Sequence, residues 1–172
     1  MRTITAAFAA LLIAGVALFS TADRSVAAGE VVAFNGGFAA GTIVVRTSER
    51  RLYLVLDHGQ ALRYPVGVGR AGRQWAGASY IDAKFIAPNW SPPAAVKNDE
   101  PSLPDLIAGG APNNPMGVAA MTIANSEYAI HGTDAPDSIG GFVSYGCIRM
   151  YNQDIMDLFG RVSVGTAVVV TR

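Results

Sequence analysis

The chain has a single cysteine, Cys147, and so no internal disulfide is available to it. It has only two histidines, His58 and His131, too few with one cysteine to supply the four ligands of a structural zinc site. Thirteen basic and thirteen acidic residues cancel, and no run of either sign occurs. A basic stripe that would track a phosphate backbone is therefore missing, which argues against a nucleic-acid partner. Repeats and low-complexity tracts are also absent.

What is present begins with a layout typical of export. A short basic start, Met1-Arg2-Thr3, precedes an uncharged apolar run from Ile4 to Phe19. Polar residues follow, and then Val26-Ala27-Ala28, with small residues where a signal peptidase reads. Residues 1–28 are expected to be a secretory signal cleaved after Ala28, leaving 29–172 as one domain. The competing reading is a retained anchor, although the apolar run is short for a span of about 20 residues. An unpaired thiol in an exported protein risks oxidation, so it is usually lost or put to use. A buried, inert cysteine is the bland alternative.

Along the expected mature chain, Thr42–Thr47, Arg51–Leu56 and Ala61–Val68 read as three strands joined by polar turns. Two tight connections imply an antiparallel meander and a mainly-β domain. A further strand is expected over Ala78–Ile86. Residues 70–117 are otherwise dense in Gly and Pro and read as a long irregular segment, either a functional loop or a surface crossover with Trp90 plugging the core. Val118–Ile123 and Tyr128–His131 form a hairpin pattern. Asn152 is a candidate N-cap for a helix over Gln153–Phe159 that Gly160 would end. Ala167–Thr171 reads as a closing strand.

The chemistry concentrates in Ser144-Tyr145-Gly146-Cys147-Ile148-Arg149-Met150. Gly146 allows close backbone approach or a positive φ. Arg149 favours a thiolate at Cys147. Backbone N–H groups at Gly146 and Cys147 would suit a developing oxyanion, and Ser144 can hydrogen-bond within the turn. The base must be one of two histidines. His58 sits in a hairpin turn, Asp57-His58-Gly59-Gln60, where solvation is the default. His131 ends a strand, is followed by Gly132-Thr133, and lies sixteen positions before Cys147. Asp134 and Asp137, with Pro136 between them, read as turn residues rather than a metal or paired-acid site. Gly67-Val68-Gly69-Arg70-Ala71-Gly72 resembles a dinucleotide loop only superficially, because no helix or spaced acidic residue follows.

His131-Gly132-Thr133 followed by Ser144-Tyr145-Gly146-Cys147-Ile148-Arg149-Met150 resembles the signature of L,D-transpeptidases with a YkuD-type catalytic domain. The resemblance extends from about Gly41 to the C-terminus and includes Asn114-Pro115-Met116-Gly117. Tyr145 departs from it, standing where many members carry His. The resemblance implies a mainly-β sandwich of mixed β-sheets with a few peripheral helices, and no cofactor. It implies that Cys147 attacks a peptidoglycan tetrapeptide stem at the diaminopimelate carbonyl and expels D-Ala. The acyl group would then pass to a second stem amine as a 3→3 cross-link. His131 would be the base, with the Gly132 carbonyl orienting its ring. Ser144, Tyr145, Gly146 and Arg149 would support substrate or oxyanion, and Arg149 is expected chiefly to brace its loop through a salt bridge. Water as acceptor would give an L,D-carboxypeptidase, and a lysine of an outer-membrane protein would give protein attachment. A catalytically silent wall-binding module is the non-enzyme alternative. A periplasmic location and acylation by carbapenem-type inhibitors are expected on the same ground.

Overall fold

The computed structural model describes residues 29–172. The expected signal segment, residues 1–28, lies outside the described residues. No helix among the described residues is long and apolar enough to cross a membrane.

Eleven strands and two α-helices follow one another along the described chain. They are β1 (Glu30–Ala33), β2 (Ile43–Arg46), β3 (Arg51–Val55), β4 (Gln60–Pro65), β5 (Val68–Gly69) and β6 (Gly77–Ile86). Helix α1 (Ala94–Asp99) comes next, followed by β7 (Ala119–Ile123), β8 (Ala129–His131), β9 (Phe142–Ser144) and β10 (Ile148–Arg149). Helix α2 (Asn152–Arg161) and β11 (Ala167–Thr171) close the chain. Nine strands form one mixed sheet in the order β1-β4-β3-β2-β11-β6-β7-β8-β10, and β5 pairs with β9 separately.

The expected meander is β2–β3–β4, antiparallel throughout. Its middle strand alternates only loosely because both faces are covered. Leu52 and Leu54 enter the main core, while Tyr53 and Val55 enter a second cluster with Phe34, Val44 and Ala61. Strand β6 links two layers. Residues 77–80 pair with β11, and residues 81–86 pair with β7, with an irregularity between Ile81 and Ala83. One apolar core fills the space between them, drawing Ile43, Leu52 and Tyr64 from one layer and Met121, Ile130, Ile148 and Met150 from the other. Helix α2 adds Ile155 and Leu158. Each such side chain contributes roughly 1.5–3 kcal/mol on burial.

Several local expectations need correction. The third strand stops at Pro65, because Pro65 has no N–H to extend a ladder, and Val68–Gly69 belongs to the small second sheet. The segment expected to be irregular contains α1, which starts directly after Pro93. Strand β1 lies outside the strands expected from the sequence. Helix α2 runs through Gly160 to Arg161, since a lone glycine is tolerated in a helix whose inner face is well packed. Its N-cap position is Tyr151; Asn152 is the first helical residue, and its side chain is engaged elsewhere.

Asp154, in the first turn of α2, is buried, and its Oδ1 has no partner. Burial, with Asp157 adding repulsion, pushes its carboxyl up to about 6. A folded-state value above the unfolded one means that this group's stabilising share is complete below about pH 3.8. The share is lost as pH rises through about 6. The helix terminus returns about 0.3–1 kcal/mol to the charged form, less than the cost of burial. Asp154→Asn is therefore expected to stabilise the domain by about 1–3 kcal/mol at pH 8. The gain should vanish near pH 4, and thermal melts at the two pH values would read the difference.

Candidate active site

His131 closes β8, and three neighbouring segments fix it. Strand β7 lies on one side, with Ala120 opposite His131. Strand β10 lies on the other, parallel, with Arg149 opposite His131 and the Met150 N–H donating to the His131 carbonyl at 2.8 Å. Continuing that register by one residue sets Cys147 beside Ala129. Standard strand spacings then put the Cys147 and His131 Cα atoms about 8 Å apart, on one face of the pairing. The Ala129 N–H, which β7 leaves free, donates to the Cys147 thiol. The structure thus brings the two residues to one site, whereas His58 stays exposed in its turn with φ of 58°.

The His131 ring is buried, 3% exposed. Nδ1–H donates to the Gly132 carbonyl at 2.6 Å. A carbonyl only accepts, so this contact selects the tautomer whose Nε2 lone pair is free to take a proton. Burial, and then the Arg149 charge, push His131 down to about 4, while the Gly132 and Pro115 carbonyls pull weakly the other way. The resting imidazole is therefore neutral. Its share of stability is present above about pH 6.5 and is lost as pH falls toward 4, roughly 3 kcal/mol at most.

The Cys147 thiol is pushed up by burial. The Ala129 N–H and the Arg149 charge pull it down, and Glu127 opposes them. The net direction is upward, so the thiolate that Arg149 was expected to secure is not the resting form. Desolvation outweighs a single nearby guanidinium.

The turn carrying Cys147 is built by polar contacts within it. Ser144 Oγ donates to the Cys147 carbonyl at 2.6 Å and accepts the Gly146 N–H at 3.1 Å. The Gly146 N–H, expected to face an oxyanion, is thus engaged inside the turn. Gly146 has φ of 132°, and a Cβ there would lie 2.3 Å from the Tyr128 ring. Trp75 stacks on that ring, centroids 5.3 Å apart, and its Nε1–H donates to the Gly146 carbonyl at 2.9 Å. Neither Trp75 nor Tyr128 carries a local signal for this role, although Tyr128 begins the expected strand that ends at His131.

Gly132 is required for a different reason. A Cβ on it would fall 2.2 Å from Asn152 Oδ1. That oxygen accepts the Thr133 N–H at 2.9 Å and the Val118 N–H at 3.4 Å, tying together the chains on both sides of His131. Asn152 has the residue type of a helix cap, but its side chain serves Thr133 and Val118 instead.

Residues 88–116 form a strap over Tyr145 and Arg149. Trp90 and Ile107 exchange backbone hydrogen bonds at 2.9 and 2.8 Å, and buried Asn114 ties the strap's ends through Pro88 and Ala108. Asp99 Oδ2 accepts from Tyr145 at 2.7 Å and from Arg70 at 2.6 Å, and the Arg70 guanidinium lies 4.0 Å over the Tyr145 ring. Trp90 lines a cavity beneath the strap with Arg149 rather than plugging the sheet core. The salt bridge expected of Arg149 is not formed: no ion pair among the described residues includes it, and its buried Nε lacks an acceptor. Gly67 and Gly69 serve strand pairing, with Gly67 opposite Arg149 and Gly69 opposite Ser144.

A neutral thiol beside a neutral imidazole has a kinetic signature. Alkylation of Cys147 by iodoacetamide is expected to rise tenfold per pH unit from pH 6 to beyond pH 9. A plateau beginning near pH 6 would indicate a preformed thiolate–imidazolium pair instead.

Comparison with known proteins identifies the family and the fold. The family model of the YkuD L,D-transpeptidase catalytic domain matches residues 40–170. The probable L,D-transpeptidase ErfK/SrfK of Escherichia coli (strain K12) is 41% identical over 135 residues, covering 73% of this chain and 42% of that protein. The chain thus spans less than half the length of that relative. The solution structure of the catalytic domain of the E. faecium L,D-transpeptidase is 22% identical and has a TM-score of 0.60. It covers 79% of this chain and all of that domain. L,D-transpeptidase 3 from Mycobacterium tuberculosis, solved with a faropenem-derived adduct, is 16% identical over 76% of this chain and 60% of that one, with a TM-score of 0.59. On the strength of the family match over 40–170, the mixed sheet and the shared fold, the chain belongs to the L,D-transpeptidase family with a YkuD catalytic domain.

Proposed function

We propose that the protein is a peptidoglycan L,D-transpeptidase that forms 3→3 cross-links through a thioester on Cys147. The observation that carries this reading is the β8–β10 register, which sets a buried neutral His131 beside the only cysteine. His131 Nε2 takes the thiol proton as Sγ attacks the diaminopimelate carbonyl of a tetrapeptide stem. The Cys147 N–H, unlike that of Gly146, is left to the oxyanion. When the tetrahedral adduct collapses, the C–N bond to D-Ala breaks, and His131 returns its proton to the leaving amine. In the second half a stem amine attacks the thioester, the C–S bond breaks, and the proton released by the amine returns through His131 to the sulfur. Nothing in these steps requires a cofactor.

This assignment carries the accompanying proposals of export by a leader removed after Ala28 and action in the periplasm. Carbapenem-type inhibitors are acyl donors with a strained amide and would acylate the same sulfur. The faropenem-derived adduct of the M. tuberculosis relative supports that expectation. Water or an outer-membrane protein lysine would use the same acyl-enzyme, giving a carboxypeptidase or protein attachment. A silent wall-binding module would have no use for a fixed His131 tautomer beside Cys147.

The protein should be incubated with disaccharide-tetrapeptide and the products weighed by mass spectrometry. A dimer lacking one D-Ala is expected, together with complete loss of product in Cys147→Ala. Tripeptide with free D-Ala would make water the acceptor. A dimer still formed by Cys147→Ala would remove Cys147 from the mechanism.

A further inference from the structure

The cavity beneath the strap, about 220 Å³, is lined by charges of both signs. Arg149 lines it from β10, Glu100 from the strap, and Asp134 from the segment that follows His131-Gly132-Thr133. Trp90, Leu103 and Pro115 supply apolar wall. None of the three charged side chains joins an ion pair among the described residues. Arg149 Nε is buried without an acceptor. A guanidinium held this way carries a desolvation cost that a planar carboxylate would relieve bidentately.

We propose that this cavity is a bipolar pocket for a zwitterionic amino-acid end, with Arg149 taking its carboxylate and Asp134 and Glu100 drawing its ammonium. The inference rests on the stem-peptide reading above and names which part of the stem is recognised: the free α-amino-carboxylate terminus of the donor's diaminopimelate side chain. Other groups of the stem match only half of the lining. The terminal D-Ala offers a carboxylate, but its nitrogen is in the peptide bond. A lysine side chain offers an ammonium without a carboxylate.

Size and placement agree. At about 30 Å³ for each water-sized group, the cavity holds roughly seven non-hydrogen atoms, an α-amino-carboxylate with one or two methylenes. Arg149 lies two residues beyond Cys147, about 6.6 Å along an extended chain. The side chain that links the reacting carbonyl to the zwitterionic end spans roughly 6 Å when extended. Asp134, set aside in the sequence as a turn residue, thereby becomes a specificity-determining one.

The test uses four donor tetrapeptides. They carry native diaminopimelate, its side-chain carboxamide, its N-acetylated side-chain form, or lysine at the third position. Their binding to Cys147→Ala protein is measured by calorimetry, which needs no turnover, and D-Ala release by the native protein is measured in parallel. The native donor is expected to bind at least tenfold tighter than each of the other three. Adding Arg149→Gln should collapse the carboxylate-to-carboxamide ratio toward one, and adding Asp134→Asn should narrow the free-to-acetylated ratio severalfold. Equal binding of all four donors overturns the pocket, whatever the turnover. So do variants that leave both ratios intact. Discrimination as expected without D-Ala release by the native protein would support the pocket and count against the transpeptidase reading instead.

Discussion

The parallel pairing of β10 with β8 is the constraint on which the site depends. Cys147 and His131 are sixteen residues apart in the chain, and the register of two short strands brings their backbones within about 8 Å of each other. A slip of one residue would turn each side chain to the opposite face. The register is held on both sides: β7 fixes β8 from one edge, and Gly67 exchanges two backbone hydrogen bonds of 2.9 Å with Arg149 from the other. Two-residue β10 has too few bonds of its own to keep that alignment, so the flanking segments supply the rest.

Electrostatics then decides what the pair can do. Burial acts on both groups in the direction of neutrality, lowering the imidazole and raising the thiol. Arg149 favours the thiolate and disfavours the imidazolium, so its charge works against a resting ion pair from the histidine's side. Proton transfer from the Cys147 thiol to the His131 imidazole is therefore uphill in the resting site. Such a site keeps the thiol unreactive toward casual oxidants, because the thiolate is the vulnerable species.

Much of this was legible in the sequence, for reasons that can be named. The meander shows through β-branched runs between polar turns, and the closing strand through Ala167–Thr171. Cys147 and His131 stand out because the chain offers one cysteine, and because one of its two histidines sits in a plain turn. What the sequence hid were contacts between distant segments. Asn152 looks like a cap until Thr133 and Val118 are seen to donate to it. Trp75 carries no local signal, since its partners Tyr128 and Gly146 lie 53 and 71 positions away. Arg149 lacks its expected salt bridge because such a bridge requires a carboxylate at the right place, and spacing along the chain does not supply that information. Helix α1 was obscured by the prolines around it, one of which starts it.

The strap's two kinds of attachment differ in strength. Internally it is stitched by backbone hydrogen bonds and by a buried asparagine, so it keeps its shape. Over the Cys147 turn it is held by Asp99, through one tyrosine hydroxyl and one arginine, at the surface where salt weakens such contacts. The strap is thus stitched more firmly within itself than at its exposed clasp on Asp99. Raising the ionic strength would loosen that clasp while leaving the internal stitching intact.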